Sequence, residues 1–236
     1  MNRAALPAVD EVHIRFARLD LELSELARLE RFLDHGERAR ADRLSKAGIR
    51  ERFVACRGYL RETVAAYLDV LPEDIRFSEG EWGKPCIAEG AGCGALCFNL
   101  SHSADLAVLA VAREREVGID LERIAGTLPF AEIARIFFSE RELTEFFSLP
   151  PEEQPAAFYR CWTRKEAYLK GCGRGFTLPS DSFDVSLLPG QTPALLAHRT
   201  SPDEPACWRL VDIAVPQGYC ATLAVAGEYP IIKLVG

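Results

Sequence analysis

The sequence predicts an α+β fold of two pseudo-symmetric halves with a functional cleft between them. Apolar residues recur with both the strand period of two and the helical period of 3.6 along the 236 residues. Nearly half of those residues are apolar, enough to bury a sizeable core in one large domain or two small ones. A faint internal repeat is the third observation. "RFVACRGYL" is followed by "LPEDIRF" and later by "LAVLAVA", while "AFYRCWTRKEAYL" is followed by "LPSDSFDV" and later by "ATLAVAG". Chance among common residues is the alternative reading. A true repeat implies α+β halves at 1–115 and 116–236, with a site in the cleft between them.

Each element follows in turn. Residues 12–19 read as a strand. Residues 23–32 and 50–68 are helical by period, and 75–78 form a short strand. The glycines at 90–94 mark a loop. Residues 106–112 and 117–121 are apolar strands joined by the charged turn "REREVG". Residues 130–137 and 140–147 are helical, "SLPPEEQPAA" is a loop, and 157–170 form a further helix. Strands at 183–187, 208–215 and 219–225 follow.

Charge and cysteine usage exclude several classes. The net charge of −7 argues against general nucleic-acid binding. Residues 37–61 nevertheless carry about +5, a local patch that suits a small polyanion. Cys86, Cys93 and Cys97 lie in a Gly-rich region with no CxxC pair or His cluster; the other five cysteines are scattered. Reduced thiols in a cytoplasmic protein are the expectation. No run of 18 uncharged apolar residues predicts a membrane span, and "MNRAALPAVDEVHIRF" lacks the apolar centre of a secretory signal.

Five constellations could carry chemistry. In "VGIDLERI", Asp120 and Glu122 share one strand face. Repulsion between buried carboxylates is relieved by a divalent cation such as Mg²⁺, which takes oxygen ligands; a solvated strand face is the plainer explanation. In "FYRCWTRKEAYLK", Lys165 shares a helical stripe with Phe158, Trp162 and Leu169, so it must snorkel or find an anion. Glu166 and Lys170 are one turn apart, as a surface ion pair or as part of a metal and phosphate site. "FNLSHS" sets Ser101 and His102 in a loop before a strand. "EWGKP" projects Lys84 from a turn. Arg57 shares the stripe of Phe53, Leu60 and Val64 and wants a carboxylate or a phosphate. Together the set fits Mg²⁺ with a multiply phosphorylated ligand.

"WGKP", "FNLSHS", "VGIDLE" and "WTRKEAYLK", in this order and spacing, resemble the Sfp-type 4′-phosphopantetheinyl transferases over about residues 37–185. The resemblance implies that family's fold of two pseudo-symmetric α+β halves, the first on the coenzyme A side and the second carrying the metal and catalytic residues. It implies holo-[acyl-carrier-protein] synthase activity: the phosphopantetheine arm of coenzyme A passes to a serine of an apo acyl, peptidyl or aryl carrier protein, releasing 3′,5′-ADP. It implies Mg²⁺, or Mn²⁺, on Asp120, Glu122 and Glu166. Lys84, Ser101, His102, Lys165 and Lys170 would contact coenzyme A phosphates; Arg52 and Arg57 are added from charge and wheel position. Catalysis would rest on Glu166, Lys170 and Asp120, with Glu166 or a metal-activated water as base. Partners are the carrier and coenzyme A, without nucleic acid or membrane, for a monomeric cytoplasmic enzyme. The segment after Glu122 would meet the carrier, although most of Phe130, Ile133, Ile136 and Phe137 should pack in the core. The rivals are a Mg²⁺-dependent nuclease or phosphohydrolase and a non-catalytic coenzyme A-binding module.

Overall fold

The computed structural model describes residues 3–46, 48–81, 83–88, 96–126 and 128–235. The expected loop at 90–94, with Trp82, Cys93 and Thr127, lies outside them. Strand β1 (Glu11–Arg18) is followed by helices α1 (Leu23–Glu30), α2 (His35–Asp42) and α3 (Ile49–Leu68), then by β2 (Phe77–Glu79), β3 (Pro85–Ile87), β4 (Leu96–Ser103) and β5 (Leu106–Arg113). The same order recurs with β6 (Val117–Arg123), α4 (Phe130–Phe137), α5 (Glu140–Ser148), α6 (Gln154–Cys172), β7 (Phe183–Val185), β8 (Leu195–His198), the one-turn α7 (Glu204–Cys207), β9 (Trp208–Asp212) and β10 (Tyr219–Ala226). Strand β11 (Ile231–Leu234) comes last.

Sheet topology repeats along with element order. In each half the first strand pairs with the last, which pairs with its predecessor: β1-β5-β4 and β6-β10-β9, all antiparallel. The sequence echoes fall on equivalent elements, α3 with α6 and β5 with β10. β11 adds in parallel to β1, so the chain returns to the first sheet.

Where elements differ from the sequence reading, capping and pairing explain it. Helix α2 has no apolar period, and Asp34 and Glu37 start it with a reciprocal capping box. Helix α6 begins at Gln154 rather than 157 because Pro155 sits in its first turn, where a missing N–H costs nothing. β4 extends through the supposed Ser101–His102 loop.

Helix α6 packs across β6 and β10 over a core that includes Phe138, Phe146, Phe158, Tyr168 and Trp208. It can approach β6 closely because Gly118 has no side chain: a Cβ there would lie 2.1 Å from the Ala167 carbonyl oxygen and 2.2 Å from the Gly171 nitrogen. In the first half, the fully buried Arg61 bonds Asp34, Glu37 and the carbonyls of Pro72 and Ile75, which satisfies a charge that burial otherwise penalises.

Candidate active site

The two main sheets meet edge to edge. β4 ends one and β6 begins the other. Instead of a backbone ladder, alternate side chains of β4 reach the backbone of β6. Asn99 Oδ1 accepts from Ile119 N–H at 2.9 Å, Ser101 Oγ from Leu121 N–H at 3.2 Å and Ser103 Oγ from Arg123 N–H at 3.1 Å. Period-two alternation places these three on one face and Leu100 and His102 on the other. The polar spacing N-x-S-x-S was the available signal for Asn99 and Ser103, which the sequence reading passed over.

This joint sets Asp120 and Glu122. Ser101 Oγ donates to Asp120 Oδ1 at 3.2 Å, and Ser103 Oγ donates to Glu122 Oε2 at 2.9 Å. From α6, Lys170 Nζ donates to Asp120 Oδ1 at 2.6 Å and to Ser101 Oγ at 3.0 Å. Asp120 is 3% exposed, yet its Oδ2 makes no hydrogen bond among the described residues. Glu166 lies one helical turn before Lys170. Burial and then the Asp120 charge push both Glu122 and Glu166 above the usual carboxylate range; the Ser103 bond and the Lys170 charge oppose this at Glu122. The three carboxylates and Lys170 therefore form one electrostatic unit across the joint.

Two cavities share the wall Pro85, Asn99 and Leu100, and Glu166 and Lys170 of this unit line the larger. The larger, about 600 Å³, is lined by Lys84, Glu166 and Lys170 together with apolar Ile136, Phe137 and Leu169. The smaller, about 220 Å³, is lined by Arg40, Arg57, His102 and Phe53. Partial desolvation and then the nearby Lys170 charge hold the His102 imidazole below its ordinary range. Phe130 and Ile133 pack against the core, whereas Ile136 is 70% exposed at the mouth of the larger cavity.

Other expected contacts lie elsewhere. Lys165 does not reach the cleft: it is buried, with Nζ donating to Glu142 Oε1 at 2.7 Å and to the Phe183 carbonyl at 2.8 Å. The anion that its apolar stripe demanded is a carboxylate of α5. Arg52 lines neither cavity and pairs with Asp20 on the surface. Arg57 lines the smaller cavity but also pairs with Glu37. Much of the basic segment is thus neutralised within the fold, with Arg50 on Glu30 as a further case. Lys84 Nζ bonds Glu116 Oε2 at 2.6 Å and the carbonyls of Val117 and Gly171, tying β3 to β6 and α6.

A cation fits the donor chemistry. Asp120 Oδ2 is a buried oxygen without a partner among the described residues, beside two carboxylates whose charged forms are disfavoured. No three His, Cys, Asp or Glu side chains among the described residues already stand at the closeness of a finished metal cage. The Lys170 ammonium supplies the positive charge at Asp120 instead.

Comparison with known proteins bears on the whole chain. A family described as the 4′-phosphopantetheinyl transferase superfamily matches residues 116–224, and one described as 4′-phosphopantetheinyl transferase, N-terminal, matches residues 22–114. The 4′-phosphopantetheinyl transferase HetI of Nostoc sp. is 38% identical over 92% of this chain and 89% of its own length. The 4′-phosphopantetheinyl transferase Sfp of Bacillus subtilis is 37% identical over 54% of each chain. AcpT of Salmonella typhimurium, another 4′-phosphopantetheinyl transferase, is 42% identical over 48% of this chain and 56% of its own. The chain belongs to the 4′-phosphopantetheinyl transferase superfamily and is an enzyme of that class.

Proposed function

We propose that the two neighbouring cavities hold coenzyme A and that the carboxylate and lysine unit beside the larger one transfers its phosphopantetheine arm to a carrier-protein serine. Transfer of phosphopantetheine to carrier proteins follows from family membership; its assignment to these residues is our reading. The observation that carries it is the convergence of Asp120, Glu122, Glu166 and Lys170 on one another, with Glu166 and Lys170 lining a largely apolar cavity that shares a wall with a second, cationic one.

In this reading the larger cavity takes the pantetheine arm. Its volume lies within the range of small-molecule sites. Arg57, Arg40 and His102 face the nucleotide phosphate in the smaller cavity. Asp120, Glu122 and Glu166 would hold Mg²⁺, which when bound supplies positive charge to the pyrophosphate. Glu166 takes the proton of the carrier serine as the serine oxygen attacks the β-phosphorus. The bond from that phosphorus to the bridging oxygen breaks, and Lys170 neutralises the oxygen leaving with 3′,5′-ADP. Ser101 and Asp120 orient Lys170. Lys84 reaches a phosphate only by giving up its bond to Glu116. Exposed Ile136 and Phe137 would face the carrier at the cavity mouth.

The same reading takes the enzyme as a cytoplasmic monomer with its halves dividing at 115/116, acting without nucleic acid or membrane. No helix among the described residues is long and apolar enough to cross a membrane. The test is intact mass spectrometry of apo acyl, peptidyl and aryl carriers incubated with the enzyme and coenzyme A, with Mg²⁺ or a chelator. A Mg²⁺-dependent gain of one phosphopantetheinyl group is expected. Absence of any gain on all carriers refutes the proposal, and a gain unchanged by chelation refutes the metal.

A further inference from the structure

The joint between β4 and β6 repeats a single device. Each serine accepts the backbone N–H of one β6 residue and donates its own proton to the carboxylate of the residue before it. Ser101 does so for Leu121 and Asp120, and Ser103 for Arg123 and Glu122. Asn99 holds the Ile119 N–H in the same way, where the preceding residue is Gly118 and there is no carboxylate to set. The carboxylates appear only at the two serine rungs, where a single β4 side-chain atom both accepts and donates.

A hydroxyl is suited to this double task. Its lone pair takes the amide hydrogen while its own hydrogen is free to turn toward an acceptor. The amide fixes the serine oxygen relative to β6, and the serine then fixes one carboxylate oxygen. The other oxygen is not held by the serine. At Asp120 it is the buried Oδ2, unpartnered among the described residues; at Glu122 it is Oε1, and the Trp162 indole is a further hydrogen-bonding neighbour of that carboxylate. Ser101 is also bound by Lys170, so its removal disturbs several partners at once. Ser103 has no bond to Lys170, and it isolates the effect of the device on a single carboxylate.

We propose that Ser103 is a positioning residue that holds Glu122 in the orientation needed to ligate the cation, acting through the carboxylate and not on substrate. The inference rests on the metal reading above. Groups that orient a metal ligand typically contribute 10–100-fold to affinity, so loss of the hydroxyl should weaken the cation by about tenfold. The test is a Mn²⁺ titration followed by EPR, with coenzyme A present and no carrier, so that no turnover occurs. Circular dichroism of each variant monitors folding.

Ser103→Ala should bind Mn²⁺ about tenfold more weakly than wild type while remaining folded. Ser103→Thr, which keeps the hydroxyl and suits a strand, should bind nearly as wild type. Ser103→Val, with the shape of threonine but no hydroxyl, should bind like Ser103→Ala. Equal Mn²⁺ affinity in wild type and folded Ser103→Ala overturns the inference and leaves the metal reading standing. If Ser103→Ala does not fold, the threonine and valine variants decide the matter, and equal affinity in those two overturns it. A wild-type protein that binds no Mn²⁺ overturns the metal reading, and the inference falls with it.

Discussion

Gly118→Ala tests how closely catalysis depends on the seating of α6 against β6. The added Cβ would stand 2.1 Å from the Ala167 carbonyl oxygen, 2.2 Å from the Gly171 nitrogen and 2.6 Å from the Gly171 Cα. All three are backbone atoms, so no side chain can rotate out of the way. Ordinary contact begins near 3.4 Å, so the helix must retreat by about 1.3 Å, the difference from 2.1 Å. Overpacking of this kind costs about 3 kcal/mol when rigid atoms oppose it. For a chain of this length that lowers Tm by roughly 6–12 °C. The retreating segment carries Glu166 immediately before Ala167 and Lys170 immediately before Gly171. The 2.6 Å bond from Lys170 to Asp120 must then lengthen or break. Misplacement by about 1 Å costs on the order of 10²-fold in rate, mainly in kcat. Thermal melting and the initial rate of carrier modification read the two effects. A variant with wild-type Tm and a transfer rate within about twofold of wild type would show that this approach is not what seats the catalytic groups.

The site is strained by its own charges, so Glu166→Gln should raise the Tm of the metal-free protein at neutral pH. The sign follows from a folded-state pKa raised above the ordinary value of 4.5: the penalty is present above the folded pKa and relieved as pH falls through it. The Tm advantage of Glu166→Gln over wild type should therefore be largest near pH 8 and shrink toward pH 5; an advantage that grows on acidification contradicts this electrostatic account. The same raised carboxylates of the metal-free site should make Mn²⁺ affinity begin to fall on acidification above the ordinary carboxylate range, and an affinity that stays constant down to that range refutes it. Lys165→Met should leave Glu142 buried and uncompensated, destabilising by about 3–5 kcal/mol in chemical denaturation. A loss of less than about 1 kcal/mol would mean that the pair contributes little.

Legibility in the sequence followed the kind of signal each feature leaves. The long helices and the apolar strands declare themselves by period, and the repeat of Phe-x-x-Cys, Leu-Pro-x-Asp and Leu-Ala-Val marks equivalent positions in the two halves. Asp120 and Glu122 on one strand face, and Glu166 with Lys170 one turn apart, follow from spacing alone. Strand β4 escaped because its polar residues face another sheet's edge and mimic a loop. Helix α2 escaped because a capping box starts it and no apolar stripe marks it. The destination of an inward charge was also hidden: a helical wheel shows that Lys165 and Arg57 need anions but cannot say that Glu142 and Glu37 provide them. Such pairings join residues more than twenty positions apart or on separate elements, and local pattern does not reach that far.

The most direct test of the account is the rate at which Glu166→Gln modifies an apo carrier at saturating coenzyme A and Mg²⁺, followed by intact mass against wild type. Loss of both a carboxylate ligand and the base predicts a fall of at least about 10²–10⁴-fold in a folded protein. Transfer at the wild-type rate would contradict the assignment of the chemistry to this cleft.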